Sequence, residues 1–181
     1  YEETIQDVAT GEFYTQKSRE EMIKKEPTRV VLVYKMPKSA ILDWLRMPGV
    51  ALCSDAMPLV PDEMTWESPY DKAPNSHPRF SAAWAKAFRV SRENDIPLMQ
   101  TVAMSSYNWA KPLGDTGLKA MQERGRMQPG MVADITIFDP ETITDNATYE
   151  KGIVPSTGIP YVIVNGTIMV RDSKVLLNAT F

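Results

Sequence analysis

Apolar positions along this chain gather in short runs, separated by charged or proline-rich stretches, and the runs change period as the chain proceeds. Thr28–Tyr34 (TRVVLVY) is continuous and β-branched, the pattern of a buried strand. Ser39 precedes AILDWLRM, a short amphipathic stretch that predicts a helix capped by Ser39 and stopped by Pro48-Gly49. Gly49–Ser54 (GVALCS) is a second apolar run and ends at Asp55. Strand, helix and strand at this spacing predict a βαβ unit with parallel strands. Upstream, residues 1–28 are charged and irregular, with Ser18 as the expected cap of a short helix. Ala56–Arg79 has no period and holds Pro58, Pro61, Pro69, Pro74 and Pro78, so it reads as a long loop of the kind that lines a binding site. Helices are predicted over Phe80–Asn94, over Ile96–Trp109 behind Pro97, and over Leu113–Arg124. The remainder turns to β pattern. Pro129-Gly130 is a turn before a strand at Met131–Phe138, which Asp139-Pro140 stops. Asn165-Gly166, between two apolar runs, is the strongest hairpin signal in the chain.

Composition narrows the classes. A chain of 181 residues is one domain or a piece of a larger one, and 43% hydrophobic with 24% charged residues is ordinary for a globular protein. A net charge of −3, with pI near 5.3, gives no electrostatic footprint for nucleic acid or an anionic membrane. No apolar run reaches transmembrane length and no signal peptide is visible, so a cytoplasmic location is expected. Tyr1 in place of Met implies that the natural N-terminus is absent. The single Cys53 excludes an internal disulfide and is expected to be a small buried strand residue. Met99, Met104, Met121, Met127 and Met131 are expected to fill the core. One cysteine and one histidine (His77) do not make a zinc site, so most ligands of any metal must come from outside this chain.

Asp55 is the residue with chemical potential. A carboxylate at the C-terminal end of a parallel strand points into the crevice where α/β proteins bind ligands. An Asp that caps the turn after Ser54 has the same appearance, and on the residues alone this is the simpler reading. Five segments in order change that weighting: SDAMP at 54–58, HPR at 77–79, LGDTG at 113–117, RGRMQPGMVADITIFDP at 124–140 and GIPYVIVNG at 158–166. Together they resemble the C-terminal part of the N-acyl-D-amino acid deacylases, the D-aminoacylase branch of the amidohydrolase superfamily, from about Thr28 to near the end.

The resemblance implies an α/β fold. Residues 1–124 would be the last strands and helices of a (β/α)8 metal-dependent hydrolase barrel, with a long active-site loop at 56–79. Residues 125–181 would be the C-terminal strands of a flanking β-sandwich. It also implies zinc as cofactor and an N-acyl amino acid as the small-molecule substrate. Asp55 would face the metal centre, counted among its ligands, take the proton of the attacking water and return it to the departing amine. Arg79 would hold the substrate α-carboxylate through its guanidinium fork. A helix-entry arginine paired with a local acid fits the residues equally well. His77 would lie on the substrate side of the barrel mouth as a loop-fixing hydrogen bonder. Trp66 and Tyr70 would line an acyl pocket or pack on the surface.

The metal-binding histidines of such a barrel are not in this sequence. The remaining barrel part, from the same protein or another chain, is therefore an expected partner, and this segment alone is expected to be inactive with apolar helix faces uncovered. The competing readings are another amidohydrolase, acting on dipeptides or cyclic amides, and a non-catalytic scaffold with an amidohydrolase-like fold.

Overall fold

The computed structural model describes residues 4–57, 68–69 and 72–176. Its first unit is a strand pair linked through a helix: β1 (Ile5–Asp7), α1 (Gln16–Lys25) and β2 (Val31–Val33), with Ile5 opposite Val33 in an antiparallel ladder. Thr15 caps α1, its hydroxyl accepting from the Ser18 amide at 3.1 Å, while the Ser18 hydroxyl accepts from the Thr15 amide at 2.9 Å. Ser18 is thus the third residue of a capping box, not the cap that the sequence predicts.

Asp7 holds this unit together. Its buried carboxylate accepts from Arg29 Nε at 2.6 Å, from the Tyr14 hydroxyl, and from the amides of Ala9 and Thr10 at 2.8 and 3.2 Å. The Arg29 guanidinium first, then Tyr14, hold this carboxyl well below the ordinary carboxylate range. A depressed folded pKa contributes stability that is complete above the unfolded value, near 3.8, and is lost as pH falls toward the folded value. Wild type is therefore expected to lose melting temperature steeply below about pH 4. Asp7→Asn should start lower at neutral pH and show a shallower acid slope. Parallel acid slopes for the two proteins would exclude Asp7 as the source.

The predicted βαβ unit does not form. α2 (Lys38–Arg46) starts behind Pro37, whose carbonyl accepts from the Ala40 amide at 3.0 Å, so Ser39 lies inside the helix rather than at its cap. Gly49 lies in a turn (φ 77°), residues 50–54 join no sheet, and β2 pairs antiparallel with β1 instead. The polar groups of 49–54 are taken by the helices beside it. Leu52 N donates to Met104 O at 2.9 Å, Asn108 Nδ2 donates to Val50 O at 2.7 Å, and Trp109 Nε1 donates to Leu52 O. Val50 and Leu52 pack on a core of Leu45, Ala87, Ile96 and Met104. The result is a mixed α/β arrangement in which no barrel closes. Cys53, outside any ladder, is exposed rather than buried.

Four helices follow: α3 (Arg79–Glu93), α4 (Leu98–Ser105), α5 (Tyr107–Asp115) and α6 (Lys119–Gln122). α3 is the spine. Ala87 faces the first core, while Ala85 and Phe88 face a second with Ile143, flanked by Val102, Phe138 and Ile159. The single helix predicted over Ile96–Trp109 breaks at Ser106, where φ/ψ is −141°/−68°. Ser105 and Ser106 each turn a hydroxyl back to the carbonyl four residues earlier, at 2.8 and 3.0 Å, which competes with helix propagation. Gly125 ends this layer in the left-handed region (φ 77°). A Cβ there would lie 2.4 Å from that of Ala110, so only glycine fits.

The last element is an antiparallel sheet in the order β3 (Ile135–Ile137), β4 (Tyr161–Val164), β5 (Thr167–Arg171), β6 (Lys174–Val175). The Pro129-Gly130 turn is present, with Met131 N donating to Gln128 O at 3.2 Å. So is the Asn165-Gly166 hairpin, with positive φ at both residues (49° and 80°), as a primed turn requires. The strand predicted at Met131–Phe138 pairs only over its last part. Side chains of α3 lace the connecting segment: Arg89 Nε to Asp145 at 2.6 Å, and Arg92 Nη1 to the carbonyls of Pro140 and Ile143 at 2.8 and 3.1 Å.

Large apolar side chains remain exposed on several elements, among them Ile41 and Trp44 on α2, Trp84 on α3 and Trp109 on α5. Of the methionines expected inside, Met104 is buried, but Met99 and Met127 are exposed because their segments turn that side to solvent. Among the described residues no helix is long and apolar enough to cross a membrane.

Candidate functional site

The segment 50–54, outside any sheet, delivers Asp55, and the start of α3 delivers Arg79. The turn after the segment is closed by Ser54, whose hydroxyl accepts from the Ala56 amide at 3.3 Å. Asp55 itself takes a left-handed φ of 49°, which short polar residues tolerate, and its carboxylate stands 85% exposed. It meets Arg79 Nη2 at 3.3 Å, so the structure brings these two sequence-predicted residues together.

Arg79 is the first residue of a fifteen-residue helix, the end where a positive charge is disfavoured by the helix dipole and an anion is favoured. Its side chain is 39% exposed, yet Nε is buried and makes no hydrogen bond among the described residues. Ser76 Oγ is likewise buried and has no partner among the described residues. Both residues line a cavity of about 140 Å³ with Ala56, Met57, His77 and Phe80. Buried polar atoms without a partner beside a cavity leave hydrogen-bonding capacity that the described residues do not use. The guanidinium thus has one edge on Asp55 and a second donor free.

His77 Nδ1 accepts from the Arg79 amide at 3.2 Å, which ties the ring to the first turn of α3. The ring stands edge-on to Tyr149, with centroids 5.0 Å apart. Burial first, then the positive charges of Arg79 and Lys86, lower its pKa from the ordinary value, with Asp55 opposing in part. The ring is therefore neutral near pH 7, as its acceptor role requires.

Sequence reasoning missed the support behind this arm. Asn75 Nδ2 donates to Tyr149 O at 3.0 Å, and Asn75 Oδ1 accepts from the Gly152 amide at 2.7 Å. Ser81 Oγ donates to Gly152 O at 2.6 Å, and Ser156 Oγ donates to Ser81 O at 2.8 Å. No period or motif marks 149–156, so nothing local announced the contact. Trp66 and Tyr70 lie outside the described residues. Among the described residues no group of three or more His, Cys, Asp or Glu could hold a metal ion; Asp55 offers at most one ligand.

No family model matches the chain. It is similar to an N-acyl-D-glutamate deacylase of Alcaligenes xylosoxydans xylosoxydans, 32% identical over 101 residues, covering 53% of this chain and 20% of that protein. An N-acyl-D-aspartate deacylase of the same organism is 35% identical over 103 residues, covering 54% and 18%. A D-aminoacylase, also of that organism, is 44% identical over 55 residues, covering 28% and 11%. The chain thus spans a fifth or less of the length of these curated relatives. Among solved structures, it superposes on a crystal structure of D-aminoacylase said to define a novel subset of amidohydrolases. The TM-score is 0.66 at 24% identity, over 87% of this chain and 30% of that one, a likeness of fold. A second D-aminoacylase structure, concerned with a binuclear metal center, gives 0.51 at 31% identity, over 58% and 21%.

Proposed function

We infer that this chain, which has partial homology to the N-acyl-D-amino acid deacylases and D-aminoacylase among the amidohydrolases, is the C-terminal segment of a metal-dependent amide hydrolase. Residues 1–124 supply the last strands and helices of its barrel, and residues 125–181 the C-terminal strands of its β-sandwich. The reaction is hydrolysis of an N-acyl-D-amino acid to a carboxylate and a free D-amino acid. The observation that carries this reading is the ion pair of Asp55 with Arg79, which lines the neighbouring cavity and has a buried guanidinium donor unpaired among the described residues.

Among the described residues no group of three or more ligands could hold a metal, so most zinc ligands would belong to the remaining barrel part beside Asp55, and no step is assigned to the metal. Asp55 accepts a proton from the water whose oxygen bonds the acyl carbon. It then gives that proton to the amide nitrogen as the carbon–nitrogen bond breaks and the amine leaves. The substrate α-carboxylate takes the free Nε and an Nη of Arg79 in a two-point contact. Substrate and Asp55 thereby compete for one guanidinium, so the arriving carboxylate releases Asp55 for proton transfer.

The test is metal content and deacylation of N-acetyl-D-amino acids by the intact protein. Bound zinc with turnover supports the reading; neither metal nor turnover overturns it and leaves a scaffold. Arg79→Met is expected to raise KM about 10- to 100-fold with little change in kcat, the effect of losing charge-assisted hydrogen bonds made before and during reaction. An unchanged KM would remove Arg79 from carboxylate binding.

A further inference from the structure

We propose that the turn at 149–152, gripped by Asn75, is the positioning device that holds Arg79, a wall residue of the cavity, against Asp55. The proposal rests on the deacylase reading and adds a residue set outside the cavity wall. Asn75 uses both ends of its amide at once, donating to Tyr149 O at 3.0 Å and accepting from Gly152 N at 2.7 Å. Only a side-chain amide offers donor and acceptor in that geometry; an aspartate lacks the donor. Gly152 lies so close to the loop that a Cβ on it would fall 1.7 Å from Ser76 O, a position no side chain can share. Ser81, one turn into α3, closes the ring by donating to Gly152 O at 2.6 Å. Tyr149 then presents its ring to His77, and His77 accepts the Arg79 amide. The arm from 75 to 81 is fixed at both ends by one turn of the C-terminal segment. Asn75, Tyr149 and Gly152 do not line the cavity, so they act through Arg79 and His77.

The experiment compares Asn75→Ala and Gly152→Ala with wild type in the intact protein. Two substrates are used: an N-acetyl-D-amino acid and the matching N-acetyl amine without a carboxylate. Both variants are expected to raise KM for the first about 10- to 100-fold, the cost of misplacing a binding group by an ångström. Turnover of the second, and kcat for the first, should hold near wild type. An equal loss on both substrates, or no change on either, would overturn the proposal. A readout independent of turnover accompanies it: the ring-proton resonances of His77, identified by their loss in His77→Gln. They are expected to move in Asn75→Ala as the Tyr149 ring withdraws, and an unmoved resonance contradicts the proposal. Should wild type hydrolyse neither substrate, the deacylase reading fails, and the His77 resonance still decides whether the turn holds the arm.

Discussion

Asp55→Asn in the intact protein is expected to lower kcat for an N-acetyl-D-amino acid about 10²- to 10⁴-fold, the range for losing a general acid–base group. Asparagine keeps the shape and the left-handed backbone preference but has no site that accepts a proton at neutral pH. The fold should tolerate the change. Asp55 is 85% exposed and its contact with Arg79 is a single 3.3 Å ion pair, of a kind that contributes little to stability. Melting temperature should therefore match wild type while turnover collapses, and bound zinc reports whether Asp55 also serves as a ligand. Measuring all three together isolates the proton carrier from collapse of the site. A variant that keeps more than about a tenth of wild-type kcat would remove Asp55 from proton transfer.

The largest stability effect is expected at Phe88. It is 8% exposed, its ring centroid lies 4.7 Å from that of Phe138, and it joins Ala85 and Ile143 in the second core. Phe88→Ala removes a buried ring and leaves a cavity where α3 meets the C-terminal segment, a change that costs about 3–5 kcal/mol. Trp84, on the same helix but 42% exposed, should cost far less when replaced by alanine. Urea unfolding of the two variants reads the contrast directly. A Phe88→Ala loss under about 1.5 kcal/mol would mean that α3 does not depend on the 138–159 segment for its place. Because α3 carries Arg79 on its first turn, the same contact anchors the site.

What could be read from the sequence was what its chemistry fixes locally. Asn165-Gly166 and Pro129-Gly130 demand particular backbone angles, and both turns are present. The apolar stripe of α3 placed that helix within a residue of its observed bounds. The failures share a cause. An apolar run states that a segment is buried, not what it is buried against, so Gly49–Ser54 passed for a strand although Val50 O and both backbone groups of Leu52 bond helices α4 and α5. The break at Ser106 needs two hydroxyls folding back on the helix, a competition invisible to periodicity. At the site, the SDAMP and HPR segments named Asp55, His77 and Arg79 but not their mutual arrangement. The Arg79–Asp55 pair and the Asn75 grip on Gly152 depend on three-dimensional closure, which spacing along the chain does not encode.

That grip also sets an order of events during synthesis. Asn75 and Gly152 are 77 positions apart, and Ser81 and Gly152 are 71 apart. A ribosome therefore releases the arm well before the turn that steadies it, and chains fold as they emerge. The nascent protein passes through a stage in which α3 can already exist while its first turn has no anchor. Completion of the arm waits until the 149–152 turn has left the ribosome.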